Sequence, residues 1–467
     1  MTAAITTAAA PSAPTDGLPD RPRLWAMAAI LTGVAMATLD TAIANTALPS
    51  IAIDLGATAS ASVWVVNAYQ LAVAATVLPL ASLADILGQK RVYLAGLILF
   101  AISSLACGLA PTLPLLALAR VVQGLGAAAT VSVSIALIRH VYPARIMGRG
   151  FGRNALAVAV SFAAGPTVAS AILSVATWHW LFLVNVPLSL AALALASRFV
   201  PAIAPAGHRF DWVAAALTAG LFSLLVLAMG EAAHGAGWPQ LAAEIAGTVL
   251  CGALLLRRQR GHPAPMLAVD LFRHPVFALS AVTSVCTFIT QGLAFVALPF
   301  LFQSVMGRTA VETGFLITPW SVVVAIMAPI AGKLSDRYPA GALGGLGLAI
   351  LSLGMVLLAL LPLAPSTLDF AWRLGVCGAG FGFFQSPNLK AIMSSAPLHR
   401  SGGASGIVAT ARLVGQATGA ALTAACFGIL ANHDLTHGAY LALWLGALSA
   451  GAASIASFLR LTVKVAA

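Results

Sequence analysis

Long apolar stretches separated by short polar segments run along the chain from residue 24 almost to its end. A helix needs roughly 20 mostly apolar residues to cross a bilayer. Counted on that basis, the pattern predicts fourteen spans, near residues 24–46, 62–83, 92–110, 113–138, 151–173, 178–199, 211–230, 240–256, 275–301, 313–333, 342–362, 368–390, 404–430 and 438–460. No segment between them is long enough for a soluble domain. The sequence therefore predicts an all-α polytopic membrane protein.

The composition agrees with a bilayer environment. Of the 467 residues, 60% are hydrophobic and 8% are charged, against roughly 25% charged in soluble domains. The formal net charge of +11 would suit a nucleic-acid partner if the basic residues were clustered. They lie singly between apolar runs instead, so the cytoplasmic enrichment of Lys and Arg in membrane proteins explains them better. We expect no nucleic-acid partner.

The basic residues also predict the orientation of the chain. If the N-terminus is cytoplasmic, the inner ends of the spans collect almost all Lys and Arg of the loops, whereas the outer loops hold only Arg308. This asymmetry predicts that both termini face the cytoplasm. Residues 1–23 begin with a stretch rich in Ala, Thr and Pro that has no apolar core, so they are predicted to form a disordered cytoplasmic tail.

Two short stretches of the chain repeat each other. Residues 81–91 (ASLADILGQKR) and 332–339 (GKLSDRYP) each leave an apolar run and place an Asp and basic residues at a turn. They predict two related six-helix halves, 24–199 and 275–467, joined by a linker, 200–274, with two inserted helices. Each stretch is predicted to form a charged cytoplasmic latch. The latch residues are Asp85 and Gly88 near Lys90 and Arg91 in the first half, and Asp336 near Arg337 in the second.

Two charged residues are predicted to lie inside the membrane at similar depth, in its outer half. Asp40 lies about sixteen residues into the first span, and Arg120 about seven residues into the fourth, which enters from the opposite side. An isolated ion at that depth costs several kcal/mol, so we expect the two to pair. Arg412 and Arg373 are weaker candidates, and Arg373 is expected to pair with Asp369 four residues earlier.

The predicted pair has two interpretations. It could be a static ion pair that fixes helix packing. It could instead be a proton site, because a nearby Arg favours the ionised carboxylate whereas burial without that Arg favours the protonated form. Separating the pair would then favour proton uptake. Two further segments read as packing features: residues 123–126 as a close-packing face, and Gly165-Pro166 as a bend with a tight helix contact.

Several of these segments resemble the signatures of one family, the major facilitator superfamily, and within it the fourteen-helix drug/proton antiporter branch. Residues 39–49 (LDTAIANTALP) resemble its helix 1 signature, 118–126 (LARVVQGLG) its helix 4 proton-coupling motif, 161–170 (SFAAGPTVAS) its antiporter motif, and 178–187 (WHWLFLVNVP) the segment that opens helix 6. Both repeated stretches resemble its loop motif.

The resemblance implies a major-facilitator fold, with proton coupling through Asp40 and Arg120 and a helix 5 antiporter motif at Gly165 and Pro166. The first loop stretch has Ala81 where the family has Gly, and Ile86 and Gln89 where it has Arg. These replacements predict a looser latch in the first half than in the second.

The implied function is proton-coupled efflux of small amphipathic toxic compounds or drugs by a multi-pass, monomeric transporter of the bacterial inner membrane. Its partners would be a small-molecule substrate, protons and the lipid bilayer. No stretch resembles a Walker phosphate loop, so ATP-driven transport is not expected. The alternative within transport is export of one specific neutral or anionic metabolite, because buried Arg residues outnumber buried acids and a cationic cavity repels cations.

An intramembrane enzyme is the main alternative of another class. It would need clustered acid–base or metal-binding residues near one interface. The nine His are dispersed, and the one cluster, His433, Asp434 and His437, lies in a segment that reads as a solvated loop. The five Cys lie singly in apolar runs, which predicts neither disulfides nor a zinc site. We expect no enzymatic activity, no cofactor and no metal, and the two-half repeat argues against a membrane receptor.

Overall fold

The computed structural model describes residues 16–57, 59–62, 64–203, 210–233, 238–259, 268–308, 310–361, 366–429 and 435–462. Within these ranges the chain is helical and forms no β-strand. This is expected of apolar segments in a bilayer, because helices satisfy their backbone hydrogen bonds internally. Residues His433 and Asp434 lie outside the described ranges.

Fourteen long helices follow one another along the described residues, and each overlaps one predicted span. They are α1 Asp20–Asp54, α2 Trp64–Leu87, α3 Gln89–Gly108, α4 Leu113–Val141, α5 Met147–Leu173, α6 Asn185–Phe199, α7 Trp212–Ala233, α8 Trp238–Gln259, α9 Pro275–Phe300, α10 Ala310–Leu334, α11 Ala340–Ala359, α12 Thr367–Ser395, α13 Ser401–Ile429 and α14 Leu435–Leu459.

Not every one of these helices is long and apolar enough to cross a membrane by itself. Among the residues described, ten helices meet that requirement, or eleven if the two bent pieces of α5 form one span. The chain is therefore an all-α, multi-pass membrane protein. The count of fourteen spans and their orientation stay predictions.

Helix α1 begins earlier than its predicted span. It starts at Asp20, directly after Pro19, whose backbone is extended (φ −57°, ψ 158°). The acidic side chain in the first turn suits the positive end of the helix dipole. The last residues of the predicted disordered tail, from 20 to 23, are thus helical, while residues 1–15 lie outside the described part.

The first six helices and the last six pack in the same way. In the first set, α1 packs on α5 and α6, α4 packs on α2 and α3, and α3 packs on α6. The same contacts recur eight helices later: α9 packs on α13 and α14, α12 packs on α10 and α11, and α11 packs on α14. Such a recurrence is typical of transporters built from repeats.

The two sets of helices meet through reciprocal contacts. Helix α5 packs on α10 and α12, and its counterpart α13 packs on α2 and α4. Helix α7 packs against α2 and α13, and α8 packs on α7. Helix α7 therefore lies against the place where the two sets of helices touch.

Glycine allows the closest approach between the halves. Gly148 in the first turn of α5 faces Gly332 near the end of α10. A Cβ atom built at Gly148 would lie 2.4 Å from the Gly332 carbonyl oxygen, and one built at Gly332 would lie 2.5 Å from the Gly148 carbonyl oxygen. Neither position accepts a side chain without movement of the backbone. We call this end of the bundle, which also carries Asp85 and Asp336, the latch end.

Candidate functional site

A buried ion pair joins α1 to α4. Arg120 Nη1 lies 2.5 Å from Asp40 Oδ2, and neither side chain is more than 1% exposed. Removing one partner of such a pair leaves the other as an uncompensated buried charge, which costs about 3–5 kcal/mol. The structure thus brings together the two residues that the sequence analysis expected to pair.

The Asp40 carboxylate accepts two more hydrogen bonds, both at Oδ1. Gln123 Nε2 donates over 3.1 Å, and Asn185 Nδ2 donates over 2.9 Å. Gln123 Nε2 also donates to Ser104 Oγ over 2.8 Å. Asn185 is the first residue of α6, so the start of that helix positions its amide. The two oxygens of Asp40 thus accept from N–H groups of three side chains, those of Arg120, Gln123 and Asn185.

Besides Asp40, Arg120 contacts residues of α2, of α4 and of a short helix, His179–Leu183, that precedes α6. Its Nε donates to the Val65 carbonyl over 2.9 Å, and its Nη1 also donates to Gln123 Oε1 over 2.6 Å. The guanidinium carbon lies 4.2 Å from the ring centre of Tyr69 and 5.5 Å from that of Phe182. Stacking on aromatic faces stabilises a desolvated cation by about 0.5–2 kcal/mol. Within the described residues, Nη2 has no hydrogen-bond partner.

A cavity of about 420 Å³ lies between the two halves, and Tyr69 belongs both to its wall and to the ion-pair centre. That volume is within the range of sites for drug-sized ligands. The wall is mainly aliphatic and aromatic. Its polar members are Thr38, Thr41, Tyr69, Gln70, Gln291, Ser321, Gln385, Arg412 and Gln416. Of the described residues that line it, Arg412 alone carries a formal charge.

The second latch ties the second half to α5. Asp336 Oδ1 lies 3.0 Å from Lys390 Nζ and accepts the backbone N–H of Gly148 over 2.9 Å. Asp336 Oδ2 lies 3.6 Å from Arg149 Nε. The carboxylate therefore sits at the positive end of the α5 dipole, where an anion is stabilised.

The first latch ties α2 to α13 in the reciprocal way. A Cβ atom built at Gly402 would lie 2.1 Å from Asp85 Oδ1, and the backbone N–H groups of Gly402 and Gly403 face the carboxylate. Gln89 Nε2 lies 3.5 Å from Asp85 Oδ1 and donates to Ser401 Oγ over 3.0 Å. Asp85 is hydrogen-bonded by an amide and by the backbone, with Arg400 in electrostatic range, whereas Asp336 lies within 4 Å of both Lys390 and Arg149.

The basic residues of the repeated stretches do not occupy the positions that the sequence predicted. Lys90 Nζ donates to the Ser197 carbonyl over 2.7 Å, at the end of α6. Arg91 and Arg337 are exposed. Arg337 makes no described ion pair with Asp336, whose described basic partners are Lys390 of α12 and Arg149 of α5.

Two predicted backbone positions have special geometry. Gly88, between α2 and α3, has φ of +99°, a region that glycine enters without steric cost. Helix α5 bends by 47° between Gly165 and Thr167, on either side of Pro166. Proline has no backbone N–H and cannot donate the helical hydrogen bond, which accounts for a bend at this position.

Other sequence predictions concern residues outside the centre. Arg373 pairs with Asp369 at 3.1 Å, as expected from their spacing. The five cysteines are free thiols, of which Cys107, Cys377 and Cys426 are buried. Within the described ranges no three His, Cys, Asp or Glu side chains group as metal ligands would.

Sequence reasoning missed three neutral residues of the ion-pair centre, Gln123, Asn185 and Ser104. Gln123 was placed in a packing face, and Asn185 entered only as part of the segment that opens helix 6. The available signal was their chemistry, since an amide in an otherwise apolar span needs a buried partner. Ser104 gave no such signal, because a serine can bond its own helix backbone.

A buried ion pair beside a cavity between two repeated helix sets, with reciprocal latches at one end, defines a membrane transporter rather than an enzyme. The model of the Major Facilitator Superfamily matches residues 30–420. The chain belongs to this superfamily.

Similar proteins agree with that assignment. The chain is 50% identical over 457 residues to the uncharacterized transporter YebQ of Escherichia coli K12, covering 97% of this chain and 98% of that protein. It is 33% identical over 435 residues to the multidrug resistance protein Stp of Mycobacterium tuberculosis CDC 1551, covering 92% and 78%. The crystal structure of the human organic anion transporter MFSD10 (TETRAN) superposes with a TM-score of 0.68 and 15% identity, covering 94% and 100%. That last likeness defines the fold alone.

Proposed function

We propose that this protein exports small amphipathic compounds, toxic compounds and drugs among them, across the bacterial inner membrane in exchange for protons. The observation that carries the proposal is the Asp40–Arg120 pair, buried in the first half and separated from the cavity by the ring of Tyr69. The similarity to a multidrug resistance protein supports it. Intramembrane acids are functional candidates because burying them without a role is costly.

The proposed cycle starts from the state in which the latch end, cytoplasmic by the distribution of basic residues, is closed. A proton that enters from outside binds the Asp40 carboxylate, and the ion pair with Arg120 is lost. Arg120 keeps its contacts with Tyr69 and the Val65 carbonyl. The halves then rock so that the latch end opens, and the proton leaves to the cytoplasm as substrate enters the cavity. One proton is taken up and one released per cycle.

The test separates a proton site from a static ion pair. The full chain is reconstituted in lipid vesicles containing a pH dye, and substrate-dependent proton movement is recorded with ethidium, 1-naphthalenesulfonamide and 1-naphthalenesulfonate. Asp40→Asn removes the proton acceptor, and Arg120→Ala removes its counter-ion. Each change leaves one buried charge without a partner, so each should lower proton movement at least roughly tenfold. Arg120→Lys keeps the charge and should retain part of the activity. Glu312→Gln, at a half-exposed acid, is the matched control.

The double variant Asp40→Asn/Arg120→Gln distinguishes the two interpretations. It removes both charges together, so no uncompensated ion remains in the interior. A static pair predicts that this variant regains proton-coupled transport, whereas a proton site predicts that it stays uncoupled. Proton movement retained by Asp40→Asn, or absent for all three compounds in the unmodified protein, contradicts the proposal.

A further inference from the structure

Among the described residues that line the cavity, the one formal charge is positive and belongs to Arg412. Arg412 projects from α13 into the wall, and within the described residues its guanidinium makes no hydrogen bond and no ion pair. No acidic residue belongs to the described lining. The nearest coupling acid, Asp40, is already engaged by Arg120, Gln123 and Asn185. A ligand in this cavity therefore meets an uncompensated positive charge.

Besides Arg412, the wall has hydrogen-bond donors on Gln416 and Trp320. Gln416 lies one helical turn after Arg412, and its Nε2 donates to Gln291 Oε1 of α9 over 2.9 Å. Trp320 of α10 lines the cavity, and its buried indole N–H has no hydrogen-bond partner among the described residues. A buried donor without a partner is costly. An acceptor-rich ligand would supply the partner once the indole ring shifts to expose this N–H to the cavity.

Aromatic rings form another part of the cavity wall. Phe162 of α5 lies 5.9 Å from Phe295 of α9, centre to centre, and Phe295 lies 5.3 Å from Trp320 at 87°. Phe381 of α12 continues the cluster at 6.1 Å from Trp320. The rings come from both halves, so a flat ring bound among them would contact both halves at once. Offset and edge-on contacts with such rings favour a planar aromatic ligand.

We infer that the cavity selects planar aromatic anions, whose carboxylate or sulfonate group binds Arg412 while the ring packs among Phe162, Phe295 and Trp320. The inference rests on the proposed function and names the charge of its substrate. Aromatic faces alone would also attract cations. In a cavity of low dielectric constant, however, the unpaired guanidinium repels them, and a guanidinium matches the two oxygens of a carboxylate or sulfonate.

The test compares three probes that share a naphthalene ring and differ in charge. Binding to the full chain in lipid nanodiscs is measured by quenching of tryptophan fluorescence and by calorimetry. The anion 1-naphthalenesulfonate should bind roughly 10- to 100-fold more tightly than the neutral 1-naphthalenesulfonamide, because an ion pair with Arg412 replaces a hydrogen bond from Arg412 to a neutral group. The cation trimethyl(1-naphthyl)ammonium should bind most weakly.

Variants then locate the anion preference. Arg412→Gln should abolish the difference between sulfonate and sulfonamide, and Arg412→Lys should restore part of it. Arg308→Gln, at an exposed arginine outside the cavity, should leave the difference unchanged. Equal affinity of the sulfonate and the sulfonamide in the unmodified protein overturns the inference without any variant. A preference that survives Arg412→Gln overturns it as well.

These outcomes are separable from those of the proposed function. Binding in nanodiscs requires no proton gradient, so the anion preference is measured independently of coupling. If ethidium or the sulfonamide drives proton movement while the sulfonate shows no binding advantage, the proton exchange stands and the anion inference fails. If the sulfonate binds through Arg412 but no probe moves protons, the reverse holds.

Discussion

Tyr69 is the residue at which the ion-pair centre and the cavity meet. Its ring lies under the Arg120 guanidinium at 4.2 Å, and its hydroxyl donates to the Ala37 carbonyl over 3.3 Å. The ring also belongs to the cavity wall, within electrostatic range of Arg412. Tyr69 therefore contacts both Arg120 and the cavity in which we propose that substrate binds.

Replacing Tyr69 tests whether the ring or the hydroxyl carries this link. Tyr69→Phe keeps the stacking on Arg120, so substrate-dependent proton movement in vesicles should change by less than about threefold, since a long hydrogen bond contributes little. Tyr69→Ala removes the stacking, and proton movement should fall roughly tenfold. Equal losses in the two variants would show that the ring plays no part. Thermal unfolding of both variants checks that they remain folded.

The sequence alone identifies the charged members of the centre but not its neutral ones. Asp40 and Arg120 stand out because few charges occur in apolar spans, and their depths agree. Gln123 and Asn185 do not stand out, because the direction in which an amide points depends on how α4 and α6 are rotated about their axes. Arg412 was a weak candidate for the same reason, since its value comes from the cavity that several other helices build around it.

At the scale of helices, the two latches are built in the same way. In each half, a carboxylate near the end of one helix contacts the first turn of a helix in the other half. Asp85, near the end of α2, contacts α13, and Asp336, just after α10, contacts α5. Helix N-termini present free N–H groups and a positive dipole end. The sequence predicted the carboxylates, but it paired them with neighbours in the chain. Gln89 is a near neighbour of Asp85 in the chain. The other partners, Gly402 of α13 for Asp85 and Gly148 of α5 and Lys390 of α12 for Asp336, lie far away in sequence, on helices that only the packing of the halves brings near.

Close approach of the backbones at the latch end should be sensitive to a single methyl group. A Cβ atom at Gly148 would lie 2.0 Å from Ser335 Oγ and 2.7 Å from Asp336 Oδ1. Gly148→Ala should therefore shift the protein toward states with the latch end open, and amide hydrogen exchange in the first turn of α5 and the last turn of α10 should rise roughly tenfold.

The matched control for this variant is Gly314→Ala on the same helix as Gly332. A Cβ atom at Gly314 would have no neighbour within 4 Å, so hydrogen exchange at the latch end should not change. Unchanged protection in Gly148→Ala would mean that the halves do not need this contact to close.

At the scale of the whole molecule, the two repeated helix sets carry different charged groups. The ion pair lies in the first set, between α1 and α4, while the unpaired Arg412 lies in the second, on α13. The aromatic wall draws on both sets. A proton bound in one half and an anion held largely by the other would both cross the membrane as the halves rock. The charge carried per cycle then depends on the charge of the substrate.

This dependence gives a prediction for the complete transporter. Export of a neutral compound for one proton moves one positive charge inward, whereas export of a monoanion for one proton moves the equivalent of two. Each charge contributes roughly 2.3 kcal/mol per 100 mV of membrane potential. In vesicles with a potassium diffusion potential, the logarithm of the steady-state concentration ratio should therefore rise twice as steeply with potential for 1-naphthalenesulfonate as for 1-naphthalenesulfonamide. Equal slopes would mean that an additional ion compensates the substrate charge, and a zero slope for the sulfonamide would contradict exchange against a proton.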